Sequence, residues 1–470
     1  MKAAVAGLAL LALAGCATSP VYQRPAVAMP AAWTVEAPWR ASAPNDSVAR
    51  GPWWRRFNDP QLDALEERAL AASPTLTLAA AAARLAQARA TVDAASAGLF
   101  PQVGLSSRAN RLKISPNRPL TNYSSSNLST VQNDFALSFT VSYEADLFGR
   151  VRGTVESAQA SAQQSAADFE NVRLVLTSDL AANYFNLREL DIELDVLAQS
   201  IALQRKALEF ATARHDLGAT SGLDVAQQQA LLDTTLTQVE VLQRQRGQFE
   251  HAIATLAGTP APGFALAAGT GLRAPPALPL GVPSDVLERR PDVASAERAM
   301  AAANAQIGVA RAAYYPSINL APSAGLDSRT LATLFDASSV LWSLGVSLAQ
   351  PLFDAGRTDA NVSIARSGYD AAVANYRRVV LTAMQEVEDG ITGSATLDRA
   401  LVQARRATAS SQRVLQLAND RYEGGAATYL EVITAQQSLL SSQRQAAQLL
   451  GQRLLVSVFL VKALGGDWNP

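Results

Sequence analysis

Histidine occurs twice and cysteine once in 470 residues. That scarcity leaves almost nothing with which to build a metal site or a His-based catalytic set. Charge is also sparse. Asp, Glu, Lys and Arg make up 17% of the chain, 40 basic residues face 41 acidic ones, and no basic tract stands out. A nucleic-acid partner is therefore not expected. Glu386, Glu388 and Asp389 could be taken for an acid/base group, but adjacent residues on a helix point apart, and no nucleophile or base motif accompanies them. Neither catalysis nor a cofactor is expected. Proline is missing from Leu120 to Thr259 and from Leu352 to Asn469, and crowds instead into 20–60, 260–291 and the positions Pro101, Pro316, Pro322 and Pro351. Length alone would suggest about three ordinary domains. Two proline-free arms set between proline-rich joints predict one elongated architecture built twice.

The arms carry long helices. Leu180, Leu187, Leu194, Ile201 and Leu208 recur every seven residues, Leu190 and Leu197 add the second row of a coiled-coil seam, and Gln204 and Ala211 continue that row. A helix over 150–214 would be about 100 Å long, far beyond an ordinary domain, and must find partners along its whole side. Shorter helices are predicted over 61–71, 74–98, 223–257 and 429–464, and a second long one over 357–421.

At Phe100-Pro101 the period changes to two. Phe135, Leu137, Phe139, Val141, Tyr143 and Ala145 share one face, while Asp134, Ser138, Thr140, Ser142, Glu144 and Asp146 take the other. Strands of this type, apolar outside and polar inside with aromatics on the apolar face, suit a transmembrane barrel. They are predicted at about 100–113 and 134–147. A second pair is predicted at about 316–327 and 339–352, where Val340, Trp342, Leu344, Val346 and Leu348 alternate.

The chain is a tandem duplication. Leu147-Phe148-Gly149-Arg150 and Leu352-Phe353-Asp354-Ala355-Gly356-Arg357 each follow a hairpin and open a long helix. Residues 214–225 align without gaps on 421–432, an offset of 207 that also brings Gln229 onto Gln436 and Gly258 onto Gly465. The repeats are placed at 61–258 and 285–470, with a proline-rich linker at 259–284. Four membrane strands cannot close, and open edges are not tolerated in hydrocarbon, so copies must associate. Two copies would give a barrel filled by its own side chains; three would give twelve strands and room for a lumen.

The N-terminus reads as a signal peptide, 1–15, with Lys2 ahead of an apolar run. Leu13-Ala14-Gly15-Cys16 is similar to a bacterial lipobox, and the lone cysteine stands at the acylation position. Ala17 in place of aspartate favours the outer membrane. Residues 16–60 are expected to be a lipidated, extended segment.

With the lipobox, the Phe/Tyr-Pro strand openings, the two Leu-Phe…Gly-Arg starts, the two Gly turns and the closing Ala463-Leu464-Gly465-Gly466-Asp467-Trp468, the chain resembles the outer-membrane efflux proteins. The closer likeness is to the lipoprotein branch that serves resistance-nodulation-division pumps. The resemblance implies a mainly α fold with a small β part: a homotrimer whose twelve-stranded barrel sits in the outer membrane above an α-helical tunnel. It implies a periplasmic adaptor and an inner-membrane pump as partners. The adaptor-docking tips would be Leu217, Gly218, Ala219 and Thr220 in the first repeat, and Gly424, Gly425, Ala426, Ala427 and Thr428 in the second. The gate would fall on Leu430, Glu431 and Thr434, with Glu431 forming an acidic ring. Thr434 departs from the family, where aspartate is frequent. Asp224 and Arg421 are expected as interhelical links holding the entrance shut. A type I protein-secretion duct and a non-conducting periplasmic coiled-coil scaffold are the rival readings.

Overall fold

A computed structural model describes residues 20, 22, 51–71, 76–115, 130–272, 275 and 289–466. The signal peptide, Cys16, part of the 259–284 linker and Asp467-Trp468 lie outside the described residues. After a short 3₁₀ turn at Trp53–Phe57 come α1 (Pro60–Ala71), α2 (Leu76–Ala97), β1 (Gln102–Ile114), β2 (Thr130–Ala145), α3 (Arg150–Asp216) and α4 (Gly222–Leu256). These are followed by α5 (Pro291–Ala312), β3 (Ser317–Leu320), β4 (Ser323–Ser328), β5 (Val340–Ser343), β6 (Val346–Ala349), α6 (Arg357–Glu423) and α7 (Tyr429–Ala463). The fold is mainly helical with a smaller sheet. Its compact units do not follow the sequence repeats. The first is built mainly from Leu85–Ser165 and Ala296–Tyr376, the second mainly from Ala166–Ser295 and Arg377–Pro470, so each draws on both repeats.

The first unit holds the sheet. β2 pairs antiparallel with β1 on one side and with β3 and β4 on the other; β4 then pairs with β5 and β3 with β6. The two strands expected at 316–327 and 339–352 are thus each in two pieces. Pro322 has no N–H to offer the ladder, and the break falls beside it. The Pro322 carbonyl still accepts from Val141 N at 2.9 Å, and Ala321 N donates to the Gly345 carbonyl at 2.8 Å, so the strands continue across their interruptions. Gly325 lies where a Cβ would stand 2.4 Å from the Leu137 carbonyl oxygen, which is why that position has no side chain.

Each long helix leaves the sheet through a glycine of positive φ, Gly149 (77°) and Gly356 (84°). An aspartate then satisfies the free N–H groups of the first turn. Asp146 accepts from Val151 N (3.0 Å) and Arg152 N (2.8 Å); Asp354 accepts from Gly356 N (3.0 Å) and Thr358 N (2.9 Å).

The second unit is helical. Trp53, Trp54, Phe57, Leu62 and Leu65 pack with Leu180, Ala181, Tyr184, Leu187, Ile253, Leu454 and Val458 in one buried cluster. Of the α3 heptad, Leu180 and Leu187 belong to this cluster and Leu190 and Leu197 pack with Leu242 and Leu440 in a second one; Ile201, Gln204 and Ala211 are also buried, while Leu194 and Leu208 are half-buried. At roughly 2 kcal/mol for each fully buried leucine, this seam is the main force aligning the helices.

Candidate functional site

Residues directly opposite each other in the ladder share a face. Val103 faces Val141, Leu105 faces Phe139, Leu137 faces Leu326, Ala324 faces Trp342, Leu320 faces Val346 and Ile318 faces Leu348. These make one continuous apolar face. Several of its members are well exposed, Trp342 by 72%, Val103 by 70% and Phe139 by 54%, as a lipid-facing surface requires. The other face is polar. Ser106 and Ser138 exchange a hydrogen bond at 2.9 Å, as do Ser323 and Ser343, and Arg108 pairs with Asp134 at 2.9 Å. Among the described residues the sheet ends in two open edges: β1 on one side, β5 and β6 on the other.

The turns joining α3 to α4 and α6 to α7 repeat in atomic detail. In the first, Ala219 N donates to the Arg214 carbonyl and Gly218 N to the His215 carbonyl, both at 2.8 Å. In the second, Ala426 N donates to the Arg421 carbonyl at 2.8 Å and Gly425 N to the Tyr422 carbonyl at 3.0 Å. This paired closure needs a left-handed residue, supplied by Gly218 (φ 75°) and Gly425 (φ 71°). Leu217, Gly218, Ala219, Gly424, Gly425, Ala426 and Thr428 are exposed, while Thr220 and Ala427 are partly covered. Ser221 caps α4 by accepting from Leu223 N at 3.1 Å; Thr428 precedes α7 without a side-chain cap bond.

The side chains around these turns differ. Arg421 reaches Glu431 at 3.2 Å and the Ala426 carbonyl at 3.2 Å, tying α6 to α7 within one helical hairpin. Asp224, expected as a link together with Arg421, instead accepts a hydrogen bond from Thr220 in its own turn. Arg214 lies 5.2 Å from the ring centre of Tyr422 in the second hairpin. Leu430, Glu431 and Thr434 are all exposed on one face of α7, and Thr434 Oγ1 donates back to the Leu430 carbonyl at 2.8 Å.

Beneath that face is a lock that sequence reasoning missed. The buried Tyr429 hydroxyl donates to Gln228 Oε1 at 2.9 Å, and Gln228 Nε2 donates to the Gln204 carbonyl at 3.1 Å, joining α7 to α4 and α4 to α3. Burial pushes the Tyr429 hydroxyl up to about 12, so it remains a donor throughout the physiological range. No spacing rule would have found it, because Gly222 occupies the place of Tyr429 in the first repeat.

Ion pairs brace the helices further along. Arg246 Nε meets Asp191 at 2.6 Å, and the offset of 207 carries this pair onto Arg453 and Asp398, which also meet. In the first repeat the pair is buried and Arg188 also holds Asp191 at 2.6 Å. Glu386, weighed as a catalytic carboxylate, is bound by Arg290 at 2.6 Å. Among the described residues no group of three His, Cys, Asp or Glu is placed to hold a metal ion.

The family pattern described as outer membrane efflux protein matches residues 65–259 and 282–466. The pyoverdine export outer membrane protein OpmQ of Pseudomonas putida is 33% identical over 461 residues, covering 98% of this chain and 96% of that protein. The toluene efflux pump outer membrane protein TtgF, also of Pseudomonas putida, is 31% identical over 476 residues, covering 100% and 98%. The structure of the outer-membrane channel OprN matches with a TM-score of 0.86 at 29% identity, over 97% of this chain and 100% of that one.

Proposed function

The chain belongs to the outer membrane efflux protein family, and from that premise we propose that this outer-membrane efflux channel works as a homotrimer. Three copies join their four-stranded sheets edge to edge into a twelve-stranded barrel. The observation that carries this reading is the sheet itself: an apolar exposed face, a polar opposite face and two unpaired edges, a combination that hydrocarbon does not tolerate until the ring is closed. Cys16, after removal of 1–15, carries the lipid that anchors 16–60 to the outer membrane. The repeats 61–258 and 285–470, joined by 259–284, supply the sheet and the periplasmic helices.

The exposed turns Leu217–Thr220 and Gly424–Thr428 receive a periplasmic adaptor, which connects the duct to an inner-membrane resistance-nodulation-division pump. Conduction is passive, without catalysis or cofactor, and no nucleic acid takes part. Two relatives named for cargoes as unlike as pyoverdine and toluene support a duct that leaves selection to the pump. The same names favour small molecules over secreted protein. A periplasmic scaffold would have no use for an exposed apolar sheet face.

At the entrance, Leu430 and Glu431 of three copies ring the axis. Arg421 contributes by holding Glu431 in place, and Asp224 by holding its own turn. Single-channel conductance of the wild type beside Glu431→Ala tests this. The Arg421–Glu431 pair is 58% and 45% exposed, so its loss costs at most about 1 kcal/mol of stability and leaves the fold intact. A small, mostly closed, cation-leaning conductance that changes in the variant is expected. An indistinguishable variant would remove Glu431 from the gate. Absence of conductance under every condition would remove the channel trimer.

A further inference from the structure

Glu189 and Glu193 stand one turn apart on α3, facing α7. Glu193 is 2% exposed and accepts two bonds from Arg444 of α7, from Nε at 3.0 Å and from Nη2 at 2.8 Å. The remaining arm of Arg444, Nη1, donates to Gln238 Oε1 of α4 at 3.2 Å. The guanidinium is thereby committed, and it makes no hydrogen bond to Glu189. Glu189 is pressed against α7 at Gly451, where a Cβ would lie 2.4 Å from Glu189 Cγ. Its Oε1 is buried without a partner. Two carboxylates thus meet one committed cation in a largely dry contact. Such an arrangement is stable only when one carboxyl keeps its proton.

We propose that Glu189, Glu193 and Arg444 form a proton-operated clasp between α3 and α7, closed while Glu189 carries a proton and loosened when that proton leaves to solvent. Glu193 is the ionised member because it accepts from Arg444; Glu189 is the protonated one because nothing else compensates its charge. The ionisable groups acting on it are Glu193 from its own helix and Arg444 from α7, and α4 meets Arg444 through the neutral Gln238. Burial first, and then the neighbouring Glu193 carboxylate, push Glu189 up to about 8, against the opposing pull of Arg444. The clasp is not a remnant of the duplication: the offset of 207 places Thr396 and Ala400 at the carboxylate positions and Thr237 at the arginine position.

The folded-state value lies above that of a free glutamate. The clasp is therefore at full strength at acidic pH, weakens as pH rises from the ordinary carboxyl range, and reaches its floor once pH passes about 8. Hydrogen–deuterium exchange of the full-length protein in detergent, corrected for intrinsic chemistry, reads this in peptides covering 185–197 and 440–455. In the wild type, protection there should fall by up to about tenfold per pH unit between about pH 5 and about pH 8, then level off. Glu189→Gln keeps the shape and the donor without the titration, so that fall should disappear, while peptides over 424–430 behave alike in both proteins. Glu189→Ala replaces it if the glutamine variant does not fold. A wild-type profile that is flat in these peptides, or one whose slope survives in the variant, overturns the clasp.

Discussion

Replacing Tyr429 by phenylalanine isolates one hydrogen bond in the lock beneath the turns. The ring stays, and with it the contact with Tyr422, whose ring centre lies 5.0 Å away. What is lost is the donor to Gln228 Oε1, in a side chain with no solvent exposure. A buried acceptor left unpaired costs about 1–3 kcal/mol. Because the bond joins α7 to α4, that cost falls on the local opening of the α6–α7 turn. Exchange of the backbone amides around 424–433 should quicken by about fivefold at the low end and about 150-fold at the high end. The hydroxyl titrates only near 12, so the ratio between variant and wild type should not change over the accessible pH range. A variant exchanging within about twofold of the wild type would refute the lock.

The duplicated ion pair offers an internal comparison. Arg246→Ala leaves the buried Asp191 to Arg188 and the Gly269 N–H and should destabilise by about 1.5–3 kcal/mol, whereas Arg453→Ala, whose partner Asp398 is 46% exposed, should cost no more than about 1 kcal/mol in the same denaturation experiment. Gly425→Ala should cost about 1–2 kcal/mol from backbone strain alone, because φ is 71° and nothing lies within 4 Å of the added methyl; exchange of the second turn reads it directly.

The local rules were legible wherever one side chain and its near neighbours decide the outcome. The seven-residue repeat from Leu180 to Leu208 and the alternation from Phe135 to Ala145 announce a long helix and a two-faced strand, because periodicity sets which side chains share a face. The offset of 207 carried the same turn and the same left-handed glycine into both halves. Sequence alone also bounded the chemistry, since a chain with two histidines and one cysteine has little with which to build a metal centre.

Tertiary structure decided which of the duplicated positions remain equivalent. Arg214 and Arg421 are the same residue in the same turn, yet one lies over the Tyr422 ring and the other pairs with Glu431, because only the second hairpin carries the tyrosines. The Tyr429–Gln228–Gln204 chain and the meeting of Glu189, Glu193 and Arg444 depend on helices distant in sequence coming side by side. A repeat in the chain can specify two similar arms. Which side chains face each other across those arms, and which charges are buried there, is set by packing, since burial and pairing are properties of the assembled contact rather than of any one residue.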